Sequence, residues 1–132
     1  MNIKDFAEKY TKAEDEAWQK GNFEPMKALE DPNVAIHMPM GPDLIGHEAH
    51  KQSIMSGRKA WTDIKQEWKY LTGDRNLCVI SYKASFRVAI QQPGASSFPI
   101  GKKVSENALI VFRVKNDRVV EGWGNASFAI TD

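Results

Sequence analysis

The chain is poor in the features that announce chemistry by themselves. It has one cysteine, Cys78, so no intrachain disulfide staples it. That usage fits a reducing compartment, and a cytoplasmic protein is expected. Long hydrophobic runs are missing, so no membrane span is expected. The opening residues, Met1 to Asp5, run straight into an amphipathic pattern and lack the apolar stretch of a secretion signal. Neither sign of charge dominates: 18 Lys and Arg stand against 17 Asp and Glu. With no basic patch, nucleic acid is not an expected partner. A glycine-rich phosphate loop and a Gly-x-Ser-x-Gly elbow are both absent, which removes nucleotide-loop and serine-hydrolase readings. Repeats, low-complexity tracts and linkers are absent too, and 132 residues suit one domain, 1–132, with a single core.

What is present is a change of period along the chain. Ile3, Phe6, Ala7, Tyr10, Ala17 and Trp18 recur at three- and four-residue steps, predicting a helix capped by Asn2 and stopped at Gly21-Asn22. A shorter helix follows with Pro25 in its first turn, and Asp31-Pro32 ends it, because a residue before proline avoids the helical region. A strand from Val34 to Met38 leads to a turn over Pro39 to Pro42, then to a third helix from about Gly46 to Ala60. The rest alternates with a period of two. Ile64 to Tyr70, Cys78 to Ile90, Val104 to Val114 and Val119 to Phe128 read as strands, with Gly73–Asn76 and Lys115–Arg118 as turns and 91–103 as a loop. Helices first and long strands later indicate an α+β domain in which a strongly curved, mostly antiparallel sheet wraps around three N-terminal helices. Leu109, Val111, Val120 and Trp123 leave apolar groups on the far side of that sheet, and a homodimer packed through the sheet would cover them.

Candidate site residues follow from faces. Glu14 falls near the centre of the first helix's apolar stripe, where a carboxylate is costly unless it is paired or lines a cavity. It is a candidate acid or base with a raised pKa. His37, between Ile36 and Met38, is a candidate for proton transfer or for orienting a polar ligand atom near neutral pH. His47-Glu48-Ala49-His50 places two histidines three apart, whereas the zinc-protease pattern needs four. It reads as an exposed first turn of helix three, and no metal is expected. Four tryptophans are enough to wall a pocket for an apolar ligand. Cys78 reads as a small core residue.

The order helix, helix, His37-Met-Pro-Met-Gly41, Ile45-Gly46, helix, then long strands closing on Asp117-Arg-Val-Val-Glu-Gly-Trp123 resembles the nuclear transport factor 2-like superfamily, and within it the SnoaL-like and ketosteroid isomerase-like small proteins. The resemblance covers nearly the whole chain. It implies a cone-shaped α+β barrel, a deep pocket open at one end and a dimer. Known catalytic groups do not carry over. The isomerases' general-base aspartate falls at Met38, their oxyanion-hole acid near Ile110, and their helix-one tyrosine at Glu14. The aspartate that SnoaL-like cyclases carry after the last-strand tryptophan is replaced here by Gly124, Asn125, Ala126 and Ser127. The epoxide hydrolases' Asp-Arg-Asp arrangement has no counterpart. What the resemblance then implies is a pocket for a small apolar molecule, with no cofactor. On the predicted faces, Glu14 and His37 are its expected acid/base pair, and Trp18, Trp61, Tyr82, Phe86, Asn107 or its neighbour Glu106, Ile110, Trp123, and Asn125 or Ser127 are expected to contact the ligand. The pocket would belong to a cofactor-free isomerase, cyclase or dehydratase, or alternatively to a module that binds a ligand or a protein without chemistry.

Overall fold

Helix α1 spans Ile3–Lys20. The Asn2 side chain accepts the Asp5 amide at 2.8 Å, and Gly21 closes the helix in the left-handed region at φ 68°. Its buried face carries Phe6, Ala7, Tyr10, Ala13, Glu14 and Ala17, so Glu14 does lie inside the stripe. Helix α2, Glu24–Leu29, has six residues, with Pro25 in its first turn. Strand β1 begins at once, at Glu30, four residues before the Val34 that the sequence pattern suggests, and runs to His37. The register against its parallel neighbour slips between Glu30 and Ala35, and that irregularity accommodates Pro32, which cannot donate to a ladder. The computed structural model describes residues 2–91 and 98–132, so part of the loop expected over 91–103 lies outside the described residues.

A two-residue strand β2, Leu44–Ile45, precedes helix α3, His47–Ala60. Four long strands complete the chain: β3 Trp61–Asp74, β4 Leu77–Val88, β5 Lys103–Lys115 and β6 Arg118–Ile130. Among the described residues β1 to β6 form one six-stranded sheet in the order β2-β1-β6-β5-β4-β3, in which only the β1–β6 pair is parallel. The sheet curls around the helices and stays open, with β2 and β3 as edges. The β5–β6 hairpin turns on Asn116 and Asp117, both at positive φ (52° and 58°), the backbone that matches strand twist in a two-residue turn.

The inward face of β4 is Ile80, Tyr82, Ala84, Phe86 and Val88, as the alternation predicts. Two apolar clusters result. One joins α1 to Met26, Val34, Ile54, Ile80, Phe112 and Val119; the other joins Phe86, Val88 and Val104 to Trp61, Phe98 and Phe128. Each fully buried side chain of this kind stabilises the fold by about 1.5–3 kcal/mol. Cys78 is fully buried in the first cluster, and burial pushes its thiol up to about 11, which suits a core residue and not a nucleophile.

Candidate functional site

The hollow between helices and sheet exists because the inner wall is built from small residues. On β6 the inward positions are Gly122, Gly124, Ala126 and Phe128; opposite them on β5 stand Phe112, Ile110, Ala108 and Glu106. A side chain at Gly122 would meet Ile36 at 3.3 Å, and one at Gly124 would meet Pro39 at 3.4 Å. The space left is a cavity of about 240 Å³. All four tryptophans line it, with Tyr10, Tyr82, Phe98 and Phe128.

At the helix side of the cavity lies a buried polar network that begins at Glu30, only 1% exposed. Its Oε1 accepts from His47 Nδ1 at 2.8 Å, and its Oε2 accepts from His50 Nδ1 at 2.7 Å and from the Tyr10 hydroxyl. The other nitrogen of His50, Nε2, faces Glu14 Oε1 at 3.6 Å. Tyr10, Glu14 and His50 all border the cavity. Burial pushes the Glu14 carboxyl up to about 6, against the pull of the His50 charge. Burial also disfavours the His50 imidazolium, but Glu14 and Glu30 outweigh it and raise His50 to about 9. Glu30 feels the same desolvation, yet the His50, Tyr10 and His47 hydrogen bonds bring it below the ordinary carboxylate value. Near pH 7 the network therefore holds an ionised carboxylate beside an imidazolium. Ligand atoms of Glu14, Glu30 and His50 lie within 4.8 Å of one another, a grouping that can hold a metal ion, and His50 Nδ1 is also within hydrogen-bond distance of Glu30 Oε2.

His47 and His50 thus correct the expectation of an exposed helix turn. The His50 side chain is 11% exposed and that of His47 10%. Three apart on a helix they share a face, and that face points inward. Glu30 was not among the expected site residues, because the sequence reads it as the end of α2.

His37 is placed otherwise. Its Nδ1 lies 2.8 Å from Asp43 and its Nε2 lies 2.8 Å from Glu121, and its ring stacks on Trp123 at 5.4 Å. Only a doubly protonated ring donates to both carboxylates, and the two bonds raise its pKa. His37 borders the cavity, and its side chain is 31% exposed. Glu14 therefore has His50, not His37, as its imidazole.

Trp18, Trp61, Tyr82 and Ile110 line the cavity; Trp123 borders it too, although it shares the parity of Asn125 on β6 and its ring stacks on His37. Phe86, Asn107 and Asn125 do not line it. Phe86 lies behind Trp61, stacked on it at 4.1 Å, and Asn107 and Asn125 are exposed on the opposite parity of β5 and β6. Glu106, one position from Asn107, takes the inward place.

An α+β fold with helices held against a curled mixed sheet, and a mostly apolar cavity between them, defines a class of small pocket proteins. The chain belongs to the SnoaL-like polyketide cyclase family, whose model matches residues 8–128. Among solved structures it is similar to TsrD of Streptomyces laurentii, at 12% identity over 96% of this chain and 92% of that one, with a TM-score of 0.79. It is similar also to a nuclear transport factor 2-like protein of Anabaena variabilis (12% identity, 97% and 88% covered, TM-score 0.73). A third is IdmH of Streptomyces antibioticus, a polyketide cyclase candidate (19% identity, 89% of each chain covered, TM-score 0.69). These likenesses establish the fold. No curated protein matches the chain. No helix among the described residues is long and apolar enough to cross a membrane.

Proposed function

We propose that the protein binds a small apolar carbonyl or hydroxyl compound in this cavity and performs acid/base chemistry on it without a cofactor, as an isomerase, cyclase or dehydratase. The observation that carries the reading is the Glu14–His50 pair, 3.6 Å apart in the cavity wall, with His50 oriented from behind by Glu30 at 2.7 Å. An ionised carboxylate desolvated to a pKa of about 6 is a competent base near neutral pH. The adjacent imidazolium supplies a proton or stabilises an enolate oxygen. His37 has a different part in this reading. Both its nitrogens are engaged by carboxylates, Asp43 and Glu121, and it is not part of the acid/base pair. Trp18, Trp61, Tyr82, Ile110 and Trp123 shape the ligand.

The test uses 2-tetralone, an apolar enolisable ketone, in D2O. Proton–deuterium exchange at its α-carbon, followed by NMR, is accelerated by the wild-type protein, and Glu14→Gln lowers that acceleration by about 10²–10⁴-fold. Equal exchange with both proteins would assign the cavity to binding without chemistry. We also propose that a second copy covers the outer face of the sheet, where Leu109 is 50% exposed beside half-buried Val111.

A further inference from the structure

The helix side of the cavity has its charges matched; the sheet side does not. Glu106 projects from β5 into the cavity wall, and among the described residues nothing neutralises it. Among the described residues burial alone acts on its carboxyl, pushing it up to about 7, and no hydrogen bond or opposite charge brings it down. None of the residues lining the cavity is a lysine or an arginine. The surroundings of Glu106 are rings. Phe128 is its cross-strand partner on β6, and Phe98 packs on Phe128 with centroids 5.7 Å apart. Tyr82 stands on the same face of β4, one pair further along, with Trp68 tilted against it at 4.3 Å.

We infer that the cavity selects an apolar amine, whose protonated nitrogen sits against the Glu106 carboxylate among the rings of Tyr82, Trp68, Phe98 and Phe128. The inference rests on the reading of the cavity as a ligand site and narrows its ligand class. Three ligand charges can be compared. An anion would meet Glu106 and Glu14, and the His50 imidazolium that borders the cavity is already shared between Glu14 and Glu30. A neutral ligand would leave a desolvated carboxyl without a partner, which is costly. An ammonium group supplies the missing counter-charge, and the faces of the surrounding rings attract it further. The apolar remainder of such a ligand is left to the rest of the cavity wall, which Glu14 and His50 also border.

The experiment compares 1-naphthylmethylamine, 1-naphthylmethanol and 1-naphthylacetate, which share one ring system and differ in charge. Binding is read from tryptophan fluorescence at pH 7.5 and checked by saturation-transfer NMR. The amine is expected to bind about tenfold more tightly than the alcohol, and the acetate more weakly than either. Glu106→Gln, which keeps shape and removes charge, is expected to weaken the amine about tenfold while leaving the alcohol within about twofold. Equal affinity of the wild-type protein for amine and alcohol would overturn the amine assignment and leave the cavity's role as a ligand site intact. So would a Glu106→Gln loss shared equally by both. Absence of binding by all three would overturn both readings together.

Discussion

Glu30 fixes the ring of His50: its Oε2 lies 2.7 Å from Nδ1, which leaves Nε2 aimed at Glu14 across 3.6 Å. Glu30 and His50 belong to the first strand and the third helix, so the acid/base pair depends on how β1 and α3 pack. Glu30 also accepts from Tyr10 and His47, tying α1 to the same point. Removing its charge leaves buried donors facing a weaker acceptor. Glu30→Gln is expected to destabilise the protein by about 3 kcal/mol, read as a lower urea midpoint at unchanged slope. A loss under about 1 kcal/mol would show that the network is not held in place by this carboxylate.

Gly57 gives an overpacking test. A methyl group there would come within 2.5 Å of the outer edge of the Trp18 ring, which stacks on Trp61 at 5.8 Å. Alanine in a helix interior normally gains about 0.5–1 kcal/mol over glycine. Here the displaced indole is expected to reverse the sign, because overpacking costs about 1–3 kcal/mol. Gly57→Ala should lower the melting temperature and weaken binding of 2-tetralone. A more stable variant with unchanged binding would mean that Trp18 moves freely.

His37 should titrate above 6.5, since Glu121 and then Asp43 favour its charged form. As pH rises through that midpoint the ring loses one proton, and one of the two carboxylates loses its donor. Ring NMR signals report the midpoint directly. Glu121→Gln is expected to bring it down toward 6.5; an unchanged midpoint would show that the contact at 2.8 Å is not kept in solution.

The proposed second copy makes a separate prediction. Light scattering at micromolar concentration should give twice the chain mass, and Leu109→Lys should give the monomer, because an unpaired charge then sits in an apolar contact. A wild-type monomer would remove the dimer and leave the cavity untouched.

Much of this architecture was legible in the residues. Period-two runs such as Ile80 to Val88 marked the strands, and the carboxylate on the α1 stripe marked Glu14 as unusual. Two things were not legible. Strand parity changes with a one-residue slip, so the sequence could offer Asn107 and Asn125 where the fold presents Glu106, Gly124 and Ala126. Partner choice is tertiary: nothing local says that Glu30, beside a proline-terminated helix, meets His47 and His50 from a helix seventeen or more residues on. One signal was available. A buried Glu14 needs a cation, and two histidines on one helix face offered it.

The most direct measurement is the pH dependence of 2-tetralone exchange. Glu14 must be ionised to accept a proton, so the rate should rise with pH through about 6. His50 must keep its proton, so the rate should fall through about 9. The two limbs belong to the coupled pair. A bell with those limbs, losing its acidic limb in Glu14→Gln as the rate collapses, is the predicted result. A flat profile, or one that Glu14→Gln leaves unchanged, would contradict the account.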